Sequence, residues 1–166
     1  MIKFAKDNSS VKIPIKENEN AGFDIYANFD EPFIKLESHK TTLIPTGLFS
    51  CFEENLLLKL ENRGSNGSKG LLQACGIIDS SYRGEWFVAI TNTNNHDWYI
   101  MKKEYRDLIP KDFFDVIKNT IYPYEKAICQ FIIISLANEK IVEVKLDEIK
   151  YSETFRGSGK LGSSGK

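Results

Sequence analysis

The stretch from Cys75 to Glu85, CGIIDSSYRGE, contains the side chains best suited to chemistry. Two apolar residues lead into a single carboxylate, Asp79, and an aromatic ring, Tyr82, follows three residues later. Gly76 and Gly84 bracket them, and glycine lets a backbone turn tightly or approach a ligand closely. A carboxylate in a turn open to ligand can act as a general base. The alternative is a turn between two strands in which Asp79 only caps its own backbone.

Two segments rich in glycine and serine carry positive charge. They are residues 63–70, RGSNGSKG, and residues 156–166, RGSGKLGSSGK. Successive backbone amides of such segments can form an anion-binding nest, and an arginine can clamp phosphate oxygens in a fork. Neither segment is a P-loop, because the glycine and lysine spacing is wrong. The pair indicates a ligand with several phosphates, although a disordered solubilising tail is the alternative for residues 156–166.

Composition limits the class of protein. The chain has 166 residues, 42% of them hydrophobic, and a formal net charge of −1, which predicts one globular domain and no nucleic-acid-binding surface. It shows no signal peptide and no apolar run that could span a membrane, so we expect a cytoplasmic protein. Cys51, Cys75 and Cys129 are far apart, and His39 and His96 stand alone. This spacing argues against a structural metal and predicts reduced, mostly buried thiols.

Short apolar or alternating runs, separated by turn residues, follow one another along most of the chain. This pattern predicts an all-β sandwich, barrel or jelly roll. The runs are Val11–Ile15, Phe23–Tyr26, Phe33–Leu36, Thr42–Ile44, Gly47–Phe52, Asn55–Leu60, Leu71–Ala74, Trp86–Ile90, Ala127–Ile134 and Ile141–Val144.

Residues 93–123 depart from this pattern by being aromatic and charged. Pro110 suits the first turn of a helix, and Phe113, Val116 and Ile117 would share one face of it. We therefore predict an insertion that contains a short helix. It is not a second domain, because about thirty residues cannot bury a core of their own.

Together these motifs resemble the homotrimeric dUTP pyrophosphatase (dUTPase) family. All five family motifs occur in order and cover most of the chain. They are AGFDI at 21–25, RGS at 63–65, GIIDSSYRG at 76–84, AICQF at 127–131 and the glycine-rich tail, and the segment PTGL at 45–48 also matches between the first two. The resemblance implies an all-β, dUTPase-like jelly roll or β-barrel at residues 1–155, with residues 156–166 as a flexible arm that closes on the active site. It also implies a homotrimer that hydrolyses dUTP to dUMP and diphosphate at sites between subunits.

The resemblance assigns catalytic roles to two residues and a metal-binding role to a third. Asp79 would activate the attacking water and meet the sugar 3'-hydroxyl, and Gln130 would help to hold that water. Mg²⁺ would bind mainly to the phosphates of the substrate, and Asp24 would hold the ion through water. An outer-sphere role suits magnesium, which gives up its water ligands reluctantly.

The resemblance also implies how the substrate is bound. The Tyr82 ring would lie under the deoxyribose and leave no space for a 2'-hydroxyl, and the hairpin from Gln73 to Phe87 would read uracil through its backbone. The implied contacts to the substrate comprise Arg63, Gly64, Ser65, Gln73, Gly76, Ile77, Ile78, Tyr82, Phe87, Arg156, Leu161, Gly162, Ser163 and Ser164.

The chain departs from the family pattern at several positions. Gly64 stands where serine usually follows the arginine, Gln73 stands where asparagine is common, and Lys126 replaces an arginine, which removes a bidentate fork. Leu161 stands where the tail usually places a ring over uracil. We therefore expect a ring from elsewhere to cover the base, with Trp86, Phe87 and Trp98 as the candidates.

The insertion at residues 93–123 resembles extra segments of some phage-encoded dUTPases. It is either a surface elaboration or a docking site for a regulatory protein. Two other functions compete with the dUTPase. A dCTP deaminase on the same fold would use a glutamate base and lack the tail, and a non-catalytic binding protein would keep the fold alone.

Overall fold

A computed structural model describes residues 1–137, 139–150 and 154 of the chain. This part is mainly β structure, which confirms the predicted all-β class. The twelve strands described are β1 (Lys3–Lys6), β2 (Phe23–Ile25), β3 (Phe33–Leu36), β4 (Thr41–Pro45), β5 (Leu48–Cys51), β6 (Leu56–Glu61), β7 (Leu71–Gln73), β8 (Ile77–Ile78), β9 (Phe87–Asn92), β10 (Trp98–Met101), β11 (Ile121–Pro123) and β12 (Cys129–Ser135). The helices are α1 (Gly64–Gly67), α2 (Lys103–Arg106), α3 (Lys111–Ile117) and α4 (Leu146–Lys150), and a 3₁₀ turn spans Lys118–Thr120.

The strands form four sheets, of which the largest has the order β2-β12-β6-β8. Its central strand, β12, is rich in β-branched isoleucine, which packs well on a pleated surface. The other described strands form sheets β4-β9-β7, β11-β10-β3 and β1-β5, and among the described pairs only β10–β11 is parallel. Sequence neighbours such as β4 and β5 lie in different sheets, so the chain crosses repeatedly between layers.

One apolar core lies between the sheets. Trp86, Ile25, Leu58 and Phe131 are among its fully buried side chains. The Phe131 ring stacks on Phe23 with centroids 4.9 Å apart and meets Trp86 edge-on at 5.5 Å. Alternation along each strand therefore turns one set of side chains inward and leaves the other set on the outer face.

The insertion contains strands as well as a helix. After β9, β10 pairs with β3 and β11 pairs with β10, so residues 93–123 extend the β structure. The predicted helix is present as α3, and the Phe114 amide donates to the Pro110 carbonyl at its first turn. Its apolar face is not buried as a whole, because Phe113 and Val116 are exposed and only Ile117 is buried.

Several local predictions were wrong. Val11–Ile15 is not a strand, although Val11 and Pro14 are buried, and Pro14 has no amide hydrogen to donate to a ladder. Ile141–Val144 is not a strand either. Of the three thiols only Cys129 is buried, whereas Cys51 and Cys75 are exposed at strand ends and turns.

The chain divides into two compact units, residues 1–136 and 137–166. The first contains all the strands described here. Within the described residues of the second, α4 is the one helix, and its five side chains are all exposed. No helix in the described residues is both long and apolar enough to cross a membrane.

Candidate active site

The largest sheet places three polar side chains in one row on its outer face. Gln130 on β12 is opposite Asp24 on β2 and Glu61 on β6. Cys129 and Phe131, on either side of Gln130, are buried, so the alternation turns Gln130 outward. Residues far apart in the sequence therefore meet because of strand register alone.

Arg63, two residues beyond β6, completes this row with an ion pair. Its Nε lies 2.9 Å from Asp24 Oδ1 and its Nη2 lies 3.1 Å from Oδ2, a bidentate arrangement. Nη1 donates to the Ala127 carbonyl at 3.1 Å. Both charged side chains are about 30% exposed, so the guanidinium is fixed but open to a ligand.

These residues surround a cleft of about 780 Å³, which we call the Asp24 cleft. Its polar lining includes Asp24, Glu61, Asn62, Arg63, Gly64, Ser65 and Gln130. Helix α1 begins after Arg63, and within the described residues nothing accepts a hydrogen bond from the Gly64 and Ser65 amides. The cleft thus offers a guanidinium and two free amides to an anion.

Gln130 is held across the cleft by its neighbours. Its Nε2 donates to the Asn62 carbonyl at 2.9 Å, which leaves its Oε1 as an acceptor. A Cβ at Gly22 would lie 2.4 Å from that Oε1, so a larger residue there would displace the glutamine. Gly22 is therefore explained by the close approach of Gln130.

A second, smaller pocket of about 210 Å³ surrounds the turn singled out in the sequence. We call it the Asp79 pocket. It is lined by Leu60, Cys75, Gly76, Ile77, Ile78, Asp79, Tyr82, Glu85 and Phe87. The Leu60 amide donates to the Gly76 carbonyl at 2.6 Å, and a Cβ on Gly76 would come within 3.1 Å of Leu60 O, which explains this glycine.

The Tyr82 ring is folded back over the turn and presents an exposed face. Its hydroxyl donates to the Glu85 carbonyl at 2.7 Å, and a Cβ at Gly84 would lie 2.5 Å from that hydroxyl. The Glu85 carboxylate accepts from the amides of Thr46 and Gly47 at 3.1 and 2.8 Å. Glu85 thereby ties the Asp79 turn to the PTGL motif. Its position beside Gly84 was visible in the sequence, but its partners were not.

Asp79 itself is exposed, and nothing in the described residues pairs with its carboxylate. Strand β8 runs antiparallel to β6, with Ile78 opposite Leu58, so Asp79 follows at the end of the sheet away from Glu61. Gln130 is opposite Glu61. Four residues at about 3.3 Å each place Asp79 about 13 Å further along the sheet than Gln130. Within one chain these two side chains cannot act on the same water molecule.

The structure separates the three rings proposed to cover the base. Trp86 is fully buried and its indole donates to Ser50 Oγ, and Trp98 is 7% exposed in the sheet of the insertion. Neither can stack on a ligand. Phe87 is 42% exposed and lines the Asp79 pocket.

The predicted hairpin is only partly formed, and Gln73 does not line the pocket. Strand β7 pairs with β9 as its stem, but β8 between them pairs with β6 instead. The Gln73 backbone amide donates to Asn62 Oδ1 at 2.6 Å, and its Nε2 is buried without a partner among the described residues. Arg156, Leu161, Gly162, Ser163 and Ser164 lie outside the described residues.

Other ionisable groups near the cleft do not offer a nucleophile or a metal cage. Burial raises the pKa of the Cys129 thiol to about 12, so this thiol stays protonated at neutral pH. No group of three or more His, Cys, Asp or Glu side chains that could hold a metal occurs in the part of the chain that the structure describes.

Comparison with known proteins identifies the family. A family model described as dUTPase matches residues 9–105, which include the motifs through Asp79 and Tyr82. The chain is 30% identical to the deoxyuridine 5'-triphosphate nucleotidohydrolase of Nautilia profundicola over 169 residues, or 99% of each chain. It is also 30% identical to that of Fusobacterium nucleatum, covering 94% of this chain and 91% of the relative. For the Buchnera aphidicola enzymes the match is 34% over 85 residues, and the chain spans about half (54%) of their length.

Solved structures share the fold. The dUTPase of Staphylococcus bacteriophage 80alpha with dUPNHPP matches with a TM-score of 0.74 at 18% identity, covering 100% of this chain and 99% of that one. The dUTPase of phage phi11, whose structure shows a species-specific insert, matches at 0.67 and 15% identity over 87% and 96%. The EIAV dUTPase matches with a TM-score of 0.63 at 21% identity, covering 89% of this chain and 98% of that one. The family model and the two full-length relatives at 30% identity show that the chain belongs to the dUTPase family.

Proposed function

We propose that this protein hydrolyses dUTP to dUMP and diphosphate. The observation that carries the proposal is the division of the polar motif residues between two places on one sheet. The Asp24 cleft holds the groups that suit phosphates, and the Asp79 pocket holds a free carboxylate and an exposed ring. A nucleoside triphosphate needs both sets, one for the charge and one for the nucleoside.

In the proposed reaction Asp79 removes a proton from the attacking water, and Gln130 orients that water through its free Oε1. Attack on phosphorus places negative charge on the phosphate oxygens. Arg63 and the amides of Gly64 and Ser65 offset that charge, and fixed donors do so without reorganising.

Discrimination among nucleotides is proposed to come from the Asp79 pocket. The face of Tyr82 would pack against the deoxyribose and exclude a ribose 2'-hydroxyl by contact. Backbone groups of Ile77, Ile78 and Phe87 would read the edge of uracil, because amides and carbonyls held in paired strands are fixed in direction. The Phe87 ring would supply the aromatic cover that Leu161 lacks.

The test is a product assay with dUTP, dCTP and UTP in the presence of Mg²⁺. We expect dUMP and diphosphate from dUTP, and little product from the other two nucleotides. Absence of diphosphate from dUTP would refute the proposal, and ammonia from dCTP would identify a deaminase instead.

We further propose that the active unit is a homotrimer whose sites form between copies. The separation of about 13 Å between Asp79 and Gln130 along the sheet supports this, because another copy can bring its own Asp79 to the Asp24 cleft. The test is to mix two inactive variants. Asp79→Asn and Arg63→Ala subunits, each inactive alone, should regain activity when refolded together, since a hybrid site can contain both intact residues. No recovery in a mixed oligomer would place the site within one chain.

Mg²⁺ is proposed to enter on the triphosphate. Asp24 fits an outer-sphere role, because both its oxygens already accept from Arg63 and one carboxylate alone cannot cage the ion. The ion would neutralise phosphate charge. Removing it with EDTA should reduce kcat strongly, and restoring Mg²⁺ should recover activity. Full activity in EDTA would exclude this role.

The tail is proposed to close over the bound nucleotide, with Arg156 and the amides or hydroxyls of Gly162, Ser163 and Ser164 at the phosphates. Truncation after Phe155 should raise KM for dUTP and leave the melting temperature unchanged. Equal KM values for the two forms would remove the tail from the site.

The insertion is proposed to bind a regulatory protein through an apolar groove of about 550 Å³. The groove includes Phe33, Leu108 and Phe113, which are 42%, 75% and 54% exposed. Lys35 lines the groove but already pairs with Asp97. The adjoining pocket contains Arg106, which pairs with Glu125, the acidic Asp107, and two lysines, Lys103 and Lys111, that have no salt-bridge partner among the described residues. An amphipathic helix with acidic residues beside its apolar face matches this chemistry.

A synthetic helix of that design, with a version carrying lysine for every acid as control, tests the groove. Leu108→Glu should abolish binding of the acidic peptide, whereas Val116→Glu, on a residue outside the groove, should not. Equal binding of both peptides, or equal loss in both variants, would contradict a specific groove.

A further inference from the structure

A buried tyrosine from the insertion lies directly behind the Asp24 cleft. Tyr122 is in β11, where it is opposite Ile100 of β10, and its side chain is 3% exposed. Its hydroxyl lies 2.7 Å from Asn66 Oδ1 and 2.7 Å from the Ala127 carbonyl. The same carbonyl accepts from Nη1 of Arg63 at 3.1 Å. One backbone oxygen therefore joins the insertion to the guanidinium in the cleft.

Asn66 closes a second link in the same network. This side chain is 3% exposed, and its Nδ2 donates to the Ile128 carbonyl at 2.6 Å. It belongs to α1, the turn that begins at Arg63 and carries the free amides. Tyr122 and Asn66 thus tie two consecutive carbonyls, those of Ala127 and Ile128, to the phosphate-binding turn.

The chemistry of the hydroxyl suits a fixed donor. Burial raises the pKa of Tyr122, although the nearby Arg63 charge acts in the opposite direction. The phenol therefore stays protonated at neutral pH and has one hydrogen to donate. Without this hydroxyl the Ala127 carbonyl would keep Arg63 as its side-chain donor, and Asn66 Oδ1 would keep only the long contact from Ser65 Oγ at 3.4 Å. A buried acceptor that loses its close donor is costly, so the turn that carries Asn66 and the Arg63 guanidinium would shift.

We propose that Tyr122 is a positioning residue that sets the Arg63 guanidinium through the Ala127 carbonyl and Asn66, and that it couples the insertion to phosphate binding. Displacement of β11 by anything that binds the insertion would then change affinity for the triphosphate. This inference rests on the proposed function, because it assigns Arg63 to the phosphates of dUTP.

The test is a double-mutant cycle between Tyr122→Phe and Arg63→Lys. Phenylalanine keeps the ring and removes only the hydroxyl. We expect the KM of the Tyr122→Phe enzyme for dUTP to rise about five-fold, the size of one buried hydrogen bond, with kcat changed less than two-fold. In the Arg63→Lys background the same substitution should change KM less than two-fold. Equal five-fold effects in both backgrounds would show that Tyr122 does not act through Arg63.

Tyr124→Phe is the matched control. Tyr124 is also partly buried and packs edge-on against Phe29, but none of its described contacts is to the cleft. The KM of the Tyr124→Phe enzyme for dUTP should equal that of the unmodified enzyme. A five-fold rise would overturn the positioning role of Tyr122, because loss of any tyrosine hydroxyl in this region would then have the same effect. If the unmodified protein does not hydrolyse dUTP, the proposed function fails. Titration with inorganic tripolyphosphate then tests the cycle separately, and equal affinity of the Tyr122→Phe and unmodified proteins would refute the positioning role.

Discussion

The Asp24 cleft and the Asp79 pocket lie on one sheet, but they are built in different ways. In the cleft each functional side chain has a partner within the chain: Asp24 pairs with Arg63, and Gln130 bonds to Asn62. In the pocket the backbone is pinned by Glu85, yet the Asp79 carboxylate has no partner in the described residues. The cleft is therefore held by contacts within the chain, whereas the exposed carboxylate of the pocket makes none among the described residues.

This difference separates stability from activity. Substitutions in the cleft remove contacts that already exist in the free chain, so they should lower both stability and activity. Substitutions at the exposed groups of the pocket should lower activity alone. Each experiment below therefore reports steady-state kinetics and a melting temperature for the same variant.

The largest effect is expected for Asp79→Asn. Loss of the proposed base should reduce kcat about 10³-fold, within the range of general-base catalysis, and leave the melting temperature unchanged because no contact is lost. Asp112→Asn, at an exposed carboxylate on α3, is the matched control. Activity within ten-fold of the unmodified enzyme would exclude Asp79 as the base.

Arg63→Lys should affect both properties. Lysine cannot reproduce the bidentate pair with Asp24, so we expect KM for dUTP to rise at least ten-fold and stability to fall by about 1–2 kcal/mol. Arg106→Lys is the control, because Arg106 also pairs with a carboxylate, Glu125, but on the insertion. A variant with normal stability and raised KM would show that the cleft is no better organised than the pocket.

Two glycines allow the same perturbation in each region. Gly22→Ala should displace Gln130 and lower kcat for dUTP about ten-fold, as loss of a positioning contact does. Gly84→Ala should displace the Tyr82 hydroxyl. We expect this variant to lower the ratio of kcat/KM for dUTP to kcat/KM for UTP about ten-fold. A Cβ at Gly67 would meet nothing within 4 Å, so Gly67→Ala serves as control. If Gly84→Ala preserved the ratio of kcat/KM values, Tyr82 would not be the sugar gate.

The smallest effect on activity is expected for Phe87→Ala. Loss of an aromatic contact to the base should raise KM about three-fold without destabilising the protein, because the ring is exposed. Trp98→Ala should destabilise the fold by about 3 kcal/mol or more, because this ring is buried. Normal stability of Trp98→Ala together with a raised KM would show that Trp98, and not Phe87, contacts the base.

Strand patterns in the sequence predicted eight of the twelve described strands, and the motifs identified three residues that the structure brings together in the cleft. Asp24, Arg63 and Gln130 were each identified from motifs, and the structure brings them together. The strand prediction at Val11–Ile15 was wrong. An apolar run resembles a strand in the sequence, but here only Val11 and Pro14 are buried and the segment forms no ladder. The prediction of buried thiols was wrong for Cys51 and Cys75. Burial of a cysteine depends on which face of a strand or turn points to solvent, and the sequence alone does not give this.

Other residues left no signal in the sequence. Asn66 looked like one more polar residue in a glycine-rich loop, and Tyr122 looked like part of the insertion. Their roles depend on hydrogen bonds that span 56 and 62 residues. Propensity and periodicity report on neighbours in the sequence, so such pairs cannot be found without the tertiary contacts.

By itself the sequence determined the β class, the family and the chemical types of the site residues, because these depend on side-chain identity and local spacing. Only the tertiary structure decided where those residues stand. Strand register aligned Asp24, Gln130 and Glu61, and the antiparallel course of β8 carried Asp79 to the far end of the sheet. Register arises from packing of the whole core, which explains why motifs that follow one another in the sequence lie at two separate places on the sheet.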